Sequence, residues 1–181
     1  MNIFALDSDP IRSAQMMVDR HVVKMILETA QLLSTAHRII DGTQYVDKTK
    51  TGRNVKRWRL PDDREQHLYA ATHINHPSAV WCRATNNNYT WLFCHFRGLL
   101  HEYTYRYGKI HKCEDMVVAL MQPPFNIDVG YLTPVTPAMP DEYKVPHNSV
   151  ASYRNYYRGA KQRMHKWTKR EVPEWINENI S

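Results

Sequence analysis

"IRSAQMMVDRHVVKMILETAQLLSTAHRII", Ile11 to Ile40, carries the strongest helical signal in the chain. Its apolar residues recur at the three- and four-residue intervals of an α-helix, and Gly42 is placed to end the run. Just ahead, "DSDP" supplies a start: Ser8 or Asp9 can accept from the free backbone donors of a first turn, and Pro10 suits the first helical position. The pattern predicts one helix of about thirty residues. Within it His21, Lys24 and Glu28 fall on one side, although most of the surrounding circumference is apolar.

Working outward, "NIFAL" before the helix reads as a short strand or an extended lead-in. Gly42 to Gln66 is polar, basic and without periodicity, so a long functional or mobile loop is predicted there. A short helix is expected over Asp63 to Ala71. Pro77 then opens a second long helix running to Tyr107, where Gly108 breaks it; Trp81, Tyr89, Trp91, Leu92, Phe96, Leu99, Leu100 and Tyr103 supply its apolar side. "NNN", Asn86 to Asn88, marks a kink or a polar pocket wall, because Asn side chains compete for backbone hydrogen bonds. "CEDMVVALM" predicts a short helix, and the six prolines between Pro123 and Pro146 an irregular segment wrapping the core. Asn148 or Ser149 caps a last long helix to about Lys169, and "VPEW" begins a final turn. With no internal repeat and no dividing linker, the expected fold is mainly α: one compact domain, residues 1–181, of three principal long helices with long irregular loops.

A chain of 181 residues can bury about two-thirds of its unfolded surface and needs no metal or disulfide staple. Cys82, Cys94 and Cys113 lack the paired short spacing of a zinc site and are expected as packing residues of a reducing cytoplasm. "MNIFALDSDP" has no charged start followed by a long apolar run, and no window reaches the ~18 apolar residues of a membrane span. A cytoplasmic protein without membrane contact is expected, in the host cytoplasm if the source is viral. His67, His73 and His76 superficially resemble a metal cluster. They lack a nearby Cys or a regularly spaced acidic third ligand, and no metal or cofactor is expected.

The net charge of +6 is concentrated. Lys144 to Arg170 holds eight Lys/Arg and no acid, and "KTKTGRNVKRWR", Lys48 to Arg59, holds six and no acid. Both carry aromatics. Cations neutralise phosphates and aromatic faces stack on unpaired bases, so this mixture suits nucleic acid. The candidate DNA-contacting residues are Arg53, Lys56, Arg57, Trp58 and Arg59 in one cluster, and Tyr153, Arg154, Tyr157, Arg158, Lys161 and Arg163 in the other. A solvated basic face is the plain alternative. "YTYRYGKIHK", Tyr103 to Lys112, repeats the mixture and belongs either to that surface or to the core.

On an ideal helix Glu28 lies about 20° around the axis from His21, with Lys24 one turn from each. The column is either a Lys24–Glu28 bridge worth ~0.3 kcal/mol or one wall of an active site. Breaking a glycosidic bond develops positive charge on the sugar, which a fixed carboxylate in a dry pocket stabilises far better than water does. The same carboxylate can shuttle protons in imine formation and elimination.

"DRHVVKMILE" resembles the first helix of the pyrimidine-dimer DNA glycosylase family, the phage endonuclease V type, with the family's Asp, His and Glu falling on Asp19, His21 and Glu28. "HPSAVWCRATNNNYTWLFCHFRGLLHEYTYRYGK" is similar to its second long helix, and "YRNYYRGAK", Tyr153 to Lys161, to its aromatic, basic C-terminal segment. The resemblance implies a compact helical enzyme without metal or cofactor. It implies a catalytic carboxylate at Glu28 and an imine formed by the N-terminal amine, followed by β-elimination. Here that amine belongs to Met1 where the family has threonine, and Leu27 precedes Glu28 where the family has arginine, leaving Lys24 as a candidate phosphate anchor. Asp19, about 180° around the helix from Glu28, is expected to be structural. The resulting expectation is a monomeric base-excision enzyme acting on double-stranded DNA, with Glu28, His21, Lys24 and Met1 at its site. A base-modifying transferase or hydrolase and a non-catalytic DNA-binding protein are the alternatives.

Overall fold

The structure, a computed structural model, describes residues 1–177. It is mainly α. The helix expected over 11–40 is two: α1 (Pro10–Gln15), capped by Asp9 accepting from the amides of Ile11 and Arg12, and α2 (Asp19–Asp41). The periodicity survives the break because the carbonyls it frees are taken from elsewhere. Arg106 donates to the carbonyls of Gln15 and Met17, both at 2.8 Å, and the Trp167 indole to that of Met16 at 2.8 Å. A break whose polar groups are all paired costs little.

After α2 the chain enters a β-hairpin, not the irregular loop expected between Gly42 and Gln66. Strand β1 (Thr43–Lys48) pairs antiparallel with β2 (Asn54–Arg59), Thr43 opposite Arg59 and Lys48 opposite Asn54. Gly52, at φ +81°, makes the turn between them. The hairpin and the following α3 (Arg64–His67) are tied to α2 by Arg38, which is buried. Its guanidinium donates to Glu65 Oε2 at 2.6 Å and to the carbonyls of Trp58, Glu65, Leu68 and Tyr69 at 2.6 to 3.1 Å. All five of its donors are used.

The second expected long helix is likewise divided, into α4 (Pro77–Cys82) and α5 (Asn86–Tyr107). "NNN" is the kink, with Thr85 capping Asn88. Asn88 donates to the Trp81 carbonyl at 2.9 Å and accepts from the Thr133 amide at 2.9 Å, while Asn86 and Asn87 hold Gly130. The asparagines therefore stitch the proline-rich segment onto the helix start. A 3-10 turn (Lys112–Met116) and α6 (Val117–Leu120) follow, and then α7 (Ser149–Ala160), capped by Asn148. The last helix stops at Ala160, well short of Lys169. The residues beyond it are drawn to the start of α2 instead: the Asp19 amide donates to the Lys166 carbonyl, and Asp19 accepts from the amide and hydroxyl of Thr168 at 2.9 and 2.7 Å. "VPEW" leads into a 3-10 turn, Glu174–Asn177.

The core is one cluster in which Val22, Ile26 and Leu33 of α2, Leu92, Phe96 and Leu99 of α5, Ile3 and Leu6 of the N-terminal arm, and Tyr153 and Tyr157 of α7 are all fully buried. Cys82 and Cys113 are buried in it, and all three cysteines are free. No helix among the described residues is long and apolar enough to cross a membrane.

Three histidines are buried within this frame. Burial lowers the pKa of His37 from 6.5 to about 4, helped by Arg64; that of His95 to about 4; and that of His21 to about 3, helped by Lys161 and Lys24. Arg64, an obligate donor, points at His37 Nδ1 (2.8 Å), so the proton sits on Nε2, beside the Tyr89 hydroxyl at 2.7 Å. Because the folded values lie below the unfolded one, the unfolded chain binds protons first as pH falls. The stability these groups contribute is complete above about pH 6.5 and is lost on the way down to pH 3–4. Moving from pH 7 to pH 5 is expected to remove on the order of 5 kcal/mol, measured by urea unfolding. A flat stability between those pH values would show that the three rings are not held neutral. Replacing Arg38 with Leu strands five acceptors and is expected to cost about 3–5 kcal/mol in the same assay.

Candidate active site

Residues 1–9 fold back along the first half of α2, antiparallel to it: Asn2 reaches Glu28, and two residues later Phe4 reaches His21. Glu28 Oε2 accepts the Asn2 backbone N–H at 3.0 Å and lies 3.7 Å from the Met1 amine, while Oε1 lies 3.3 Å from Lys24 Nζ. The Glu28 side chain retains 15% of its surface and that of Met1 3%, whereas Lys24 is 69% exposed. The carboxylate thus stands at the mouth of a largely enclosed corner with the chain terminus beside it.

Asn2 locks this corner. Its amide nitrogen donates to the Ala138 carbonyl at 2.8 Å, and its Oδ1 accepts from its neighbour Ile3 and from the Tyr153 hydroxyl, both at 2.8 Å. Tyr153, expected as a DNA contact, is fully buried and serves instead to hold Asn2 and the 136–138 segment. Phe4 has φ +58°, a region side chains rarely occupy. Its ring stacks on His21 at 4.3 Å and meets Tyr153 and Tyr157 edge-on.

His21 hydrogen-bonds through Nδ1 to the Tyr157 hydroxyl at 2.5 Å and stacks on Phe4. With its Nδ1 taken by Tyr157 it makes no hydrogen bond to Glu28, and of the predicted column Lys24 is the residue that touches the carboxylate. His21 acts one step removed, as the floor under Phe4. Asp19 points away as expected. Burial alone would raise its carboxyl, but the Thr168 donors and Arg106 outweigh that and hold it below the usual range.

His76, whose spacing with His67 and His73 suggests only a superficial metal cluster, stands near this corner. It caps α4, Nδ1 accepting from the Ser78 amide at 3.2 Å, which leaves the proton on Nε2. The loop before it is pinned across α2 by Thr35, seven residues and two turns beyond Glu28, through paired bonds with Thr72. Burial lowers the His76 pKa, with the Met1 ammonium and His73 adding to it and Glu28 opposing. Both Met1 and Glu28 are therefore within its electrostatic reach. Among the described residues no group of three His, Cys, Asp or Glu is arranged to hold a metal.

The expected DNA contacts divide. On the hairpin Arg53, Lys56 and Arg59 are exposed; Arg57 is paired with Asp47 at 2.7 Å, and Trp58 is half-buried. In the C-terminal cluster Tyr157 and Arg158 join Tyr153 as corrections. Tyr157 is fully buried, and Arg158 is buried while donating to the Trp175 carbonyl and Asn155. They lie on the inward side of α7, where one-signed charge in the sequence says nothing of direction. Arg154 is half-buried against the Leu6 carbonyl and Asp7, Lys161 lies over the Tyr156 ring, and Arg163 is exposed. A cleft of about 620 Å3 opens between Arg12, Arg154, Arg170 and Trp175; none of Met1, Glu28 or His76 lines it.

If Tyr153 and Asn2 hold the terminus, Tyr153→Phe should cost about 1 kcal/mol of stability and speed acylation of the Met1 amine, followed by peptide mass spectrometry. An unchanged acylation rate would show that the hydroxyl does not fix the terminus. Comparison of the chain with protein-family models, with curated proteins and with solved structures returns no significant match, so function rests on the geometry of this corner.

Proposed function

We propose that the protein is a DNA glycosylase with AP-lyase activity that removes a damaged or modified pyrimidine from double-stranded DNA. The observation that carries this reading is the 3.7 Å between the Met1 amine and Glu28 Oε2. A nucleophilic nitrogen and a carboxylate that close can act on one sugar carbon. In the proposed reaction the Met1 amine nitrogen bonds to C1′ as the glycosidic bond breaks, and Glu28, ionised up to that point, takes the proton the nitrogen sheds and passes it to the base. The departing base takes the bond's electron pair and is protonated. Ring opening yields an imine as the nitrogen's remaining proton passes to O4′, and Glu28 then removes a C2′ proton, expelling the 3′ phosphate. Glu28 also stabilises the positive charge that develops on the sugar, and Lys24, exposed beside it, neutralises a flanking phosphate. Extruding the nucleotide gives the corner access to C1′, at a cost that is least for damaged pairs.

Incubation with irradiated or abasic-site duplex in borohydride is expected to trap a covalent protein–DNA adduct whose modified peptide begins at Met1. Glu28→Gln should keep duplex affinity within about twofold while lowering single-turnover cleavage roughly 100-fold. One extra residue ahead of Met1 should displace the amine and abolish trapping. Equal loss of binding and cleavage in Glu28→Gln, or an adduct on a lysine, would remove Glu28 and Met1 from these roles. Duplex binding without base release on any lesion would favour the non-catalytic reading, in which Lys24–Glu28 is a surface ion pair.

A further inference from the structure

The hairpin has two unlike faces. Residues directly opposite in an antiparallel pair share a face, and faces alternate along each strand. The register therefore puts Thr43, Tyr45, Asp47, Val55, Arg57 and Arg59 on one face, where Thr43 and Arg59 at one end are exposed and the other four are half-buried. Here the hairpin's only acid, Asp47, is neutralised by Arg57 at 2.7 Å, and Arg59 covers the Tyr45 ring at 5.0 Å. The other face carries Gln44, Val46, Lys48, Asn54, Lys56 and Trp58, of which all but Trp58 are exposed, Val46 by 64%. It holds two cations, two amides and one exposed β-branched side chain, with no acid. Amides pair with base edges, cations with phosphates or guanine, and an apolar group with the thymine methyl.

Size selects the groove. Two strands are about 4.8 Å apart, and with side chains the ribbon fits a major groove about 12 Å wide but not a minor groove of about 6 Å. The hairpin leaves α2 thirteen residues after Glu28, roughly 20 Å along its axis. A duplex lying along α2 from Glu28 would meet the hairpin about six base pairs away, at ~3.4 Å each.

We propose that this hairpin lies in the major groove of duplex DNA with the Gln44, Val46, Lys48, Asn54, Lys56 and Trp58 face toward the base edges. The inference rests on the DNA-binding part of the function proposed above, and deepens it by naming the element and face that grip the duplex. A-form RNA, whose major groove is deep and narrow, is excluded as an occupant.

The test uses the full chain and an undamaged duplex of about 25 base pairs, long enough to span the ~20 Å offset on both sides. Replacing both Lys48 and Lys56 by Gln is expected to weaken binding at least tenfold and to reduce the slope of log affinity against log salt by about 1.8. A photoreactive side chain at position 46 should crosslink to bases, and one at position 55, on the other face, should not. Duplex RNA should fail to compete. If the unsubstituted chain binds duplex DNA but the double variant keeps its affinity and slope, or position 55 crosslinks as well as position 46, the hairpin inference fails while the glycosylase reading stands. If the unsubstituted chain binds no duplex, both fail together.

Discussion

The guanidinium of Arg106 is the contact on which the arrangement depends. It is buried, and it divides its donors between the carbonyls of Gln15 and Met17, the carboxylate of Asp19 and that of Glu102, which Arg170 also grips. A charge taken so far from water is tolerable only when it is paired, and here two carboxylates and two carbonyls meet it. What it makes possible is the break between α1 and α2. In an unbroken helix Ile11 would lie about 25 Å along the axis from Glu28, and almost the whole preceding arm would have to be fully extended to return. With the turn at 16–18, α1 folds over α5 and the arm comes back beside α2 with reach to spare. The terminus meets Glu28 because a residue of α5 caps a break in another helix.

The helical class is legible in the sequence because it rests on local periodicity, and the breaks are not, because their causes are remote. Nothing near Met16 announces that Trp167 will take its carbonyl and Arg106 those of its neighbours, and "NNN" signals a kink without naming Gly130 and Thr133 as its partners. The end of α7 fails for the same reason: Lys166 and Thr168 bond to Asp19, some 150 positions earlier in the chain. The hairpin was hidden because its outward face is polar and its inward face only half-buried, so no clean alternation of apolar and polar residues marks it.

The candidate site shows the same division at finer grain. Helical spacing places Lys24 against Glu28 and turns Asp19 away, and both hold. It also sets His21 in the column, yet a stack with Phe4 and a bond to Tyr157 take that ring out of Glu28's reach. Asn2 and His76 carry no signal at all: one is a terminal residue whose backbone supplies the contact, the other a helix cap. Charge in the C-terminal cluster was legible as composition but not as direction. Arg158 and Tyr157 face inward on α7, while Arg163 and Lys161 beyond it stay near solvent.

Phe4 joins the fold to the proposed chemistry. A phenylalanine at φ +58° costs about 1–3 kcal/mol, and a chain free to relax would leave that region. It is held there from both sides, by the His21 stack and the edges of Tyr153 and Tyr157, and by the Ser13 hydroxyl bonded to the Phe4 carbonyl. Relaxing the backbone would pull the ring from its slot and swing Asn2 and Met1 away from α2. A neutral His21 suits this task better than a charged one, since an imidazolium between Lys24 and Lys161 would be repelled from both. The burial that removes His21 from the proposed catalytic column therefore keeps it uncharged, and an uncharged ring packed under Phe4 fixes where the terminal amine stands.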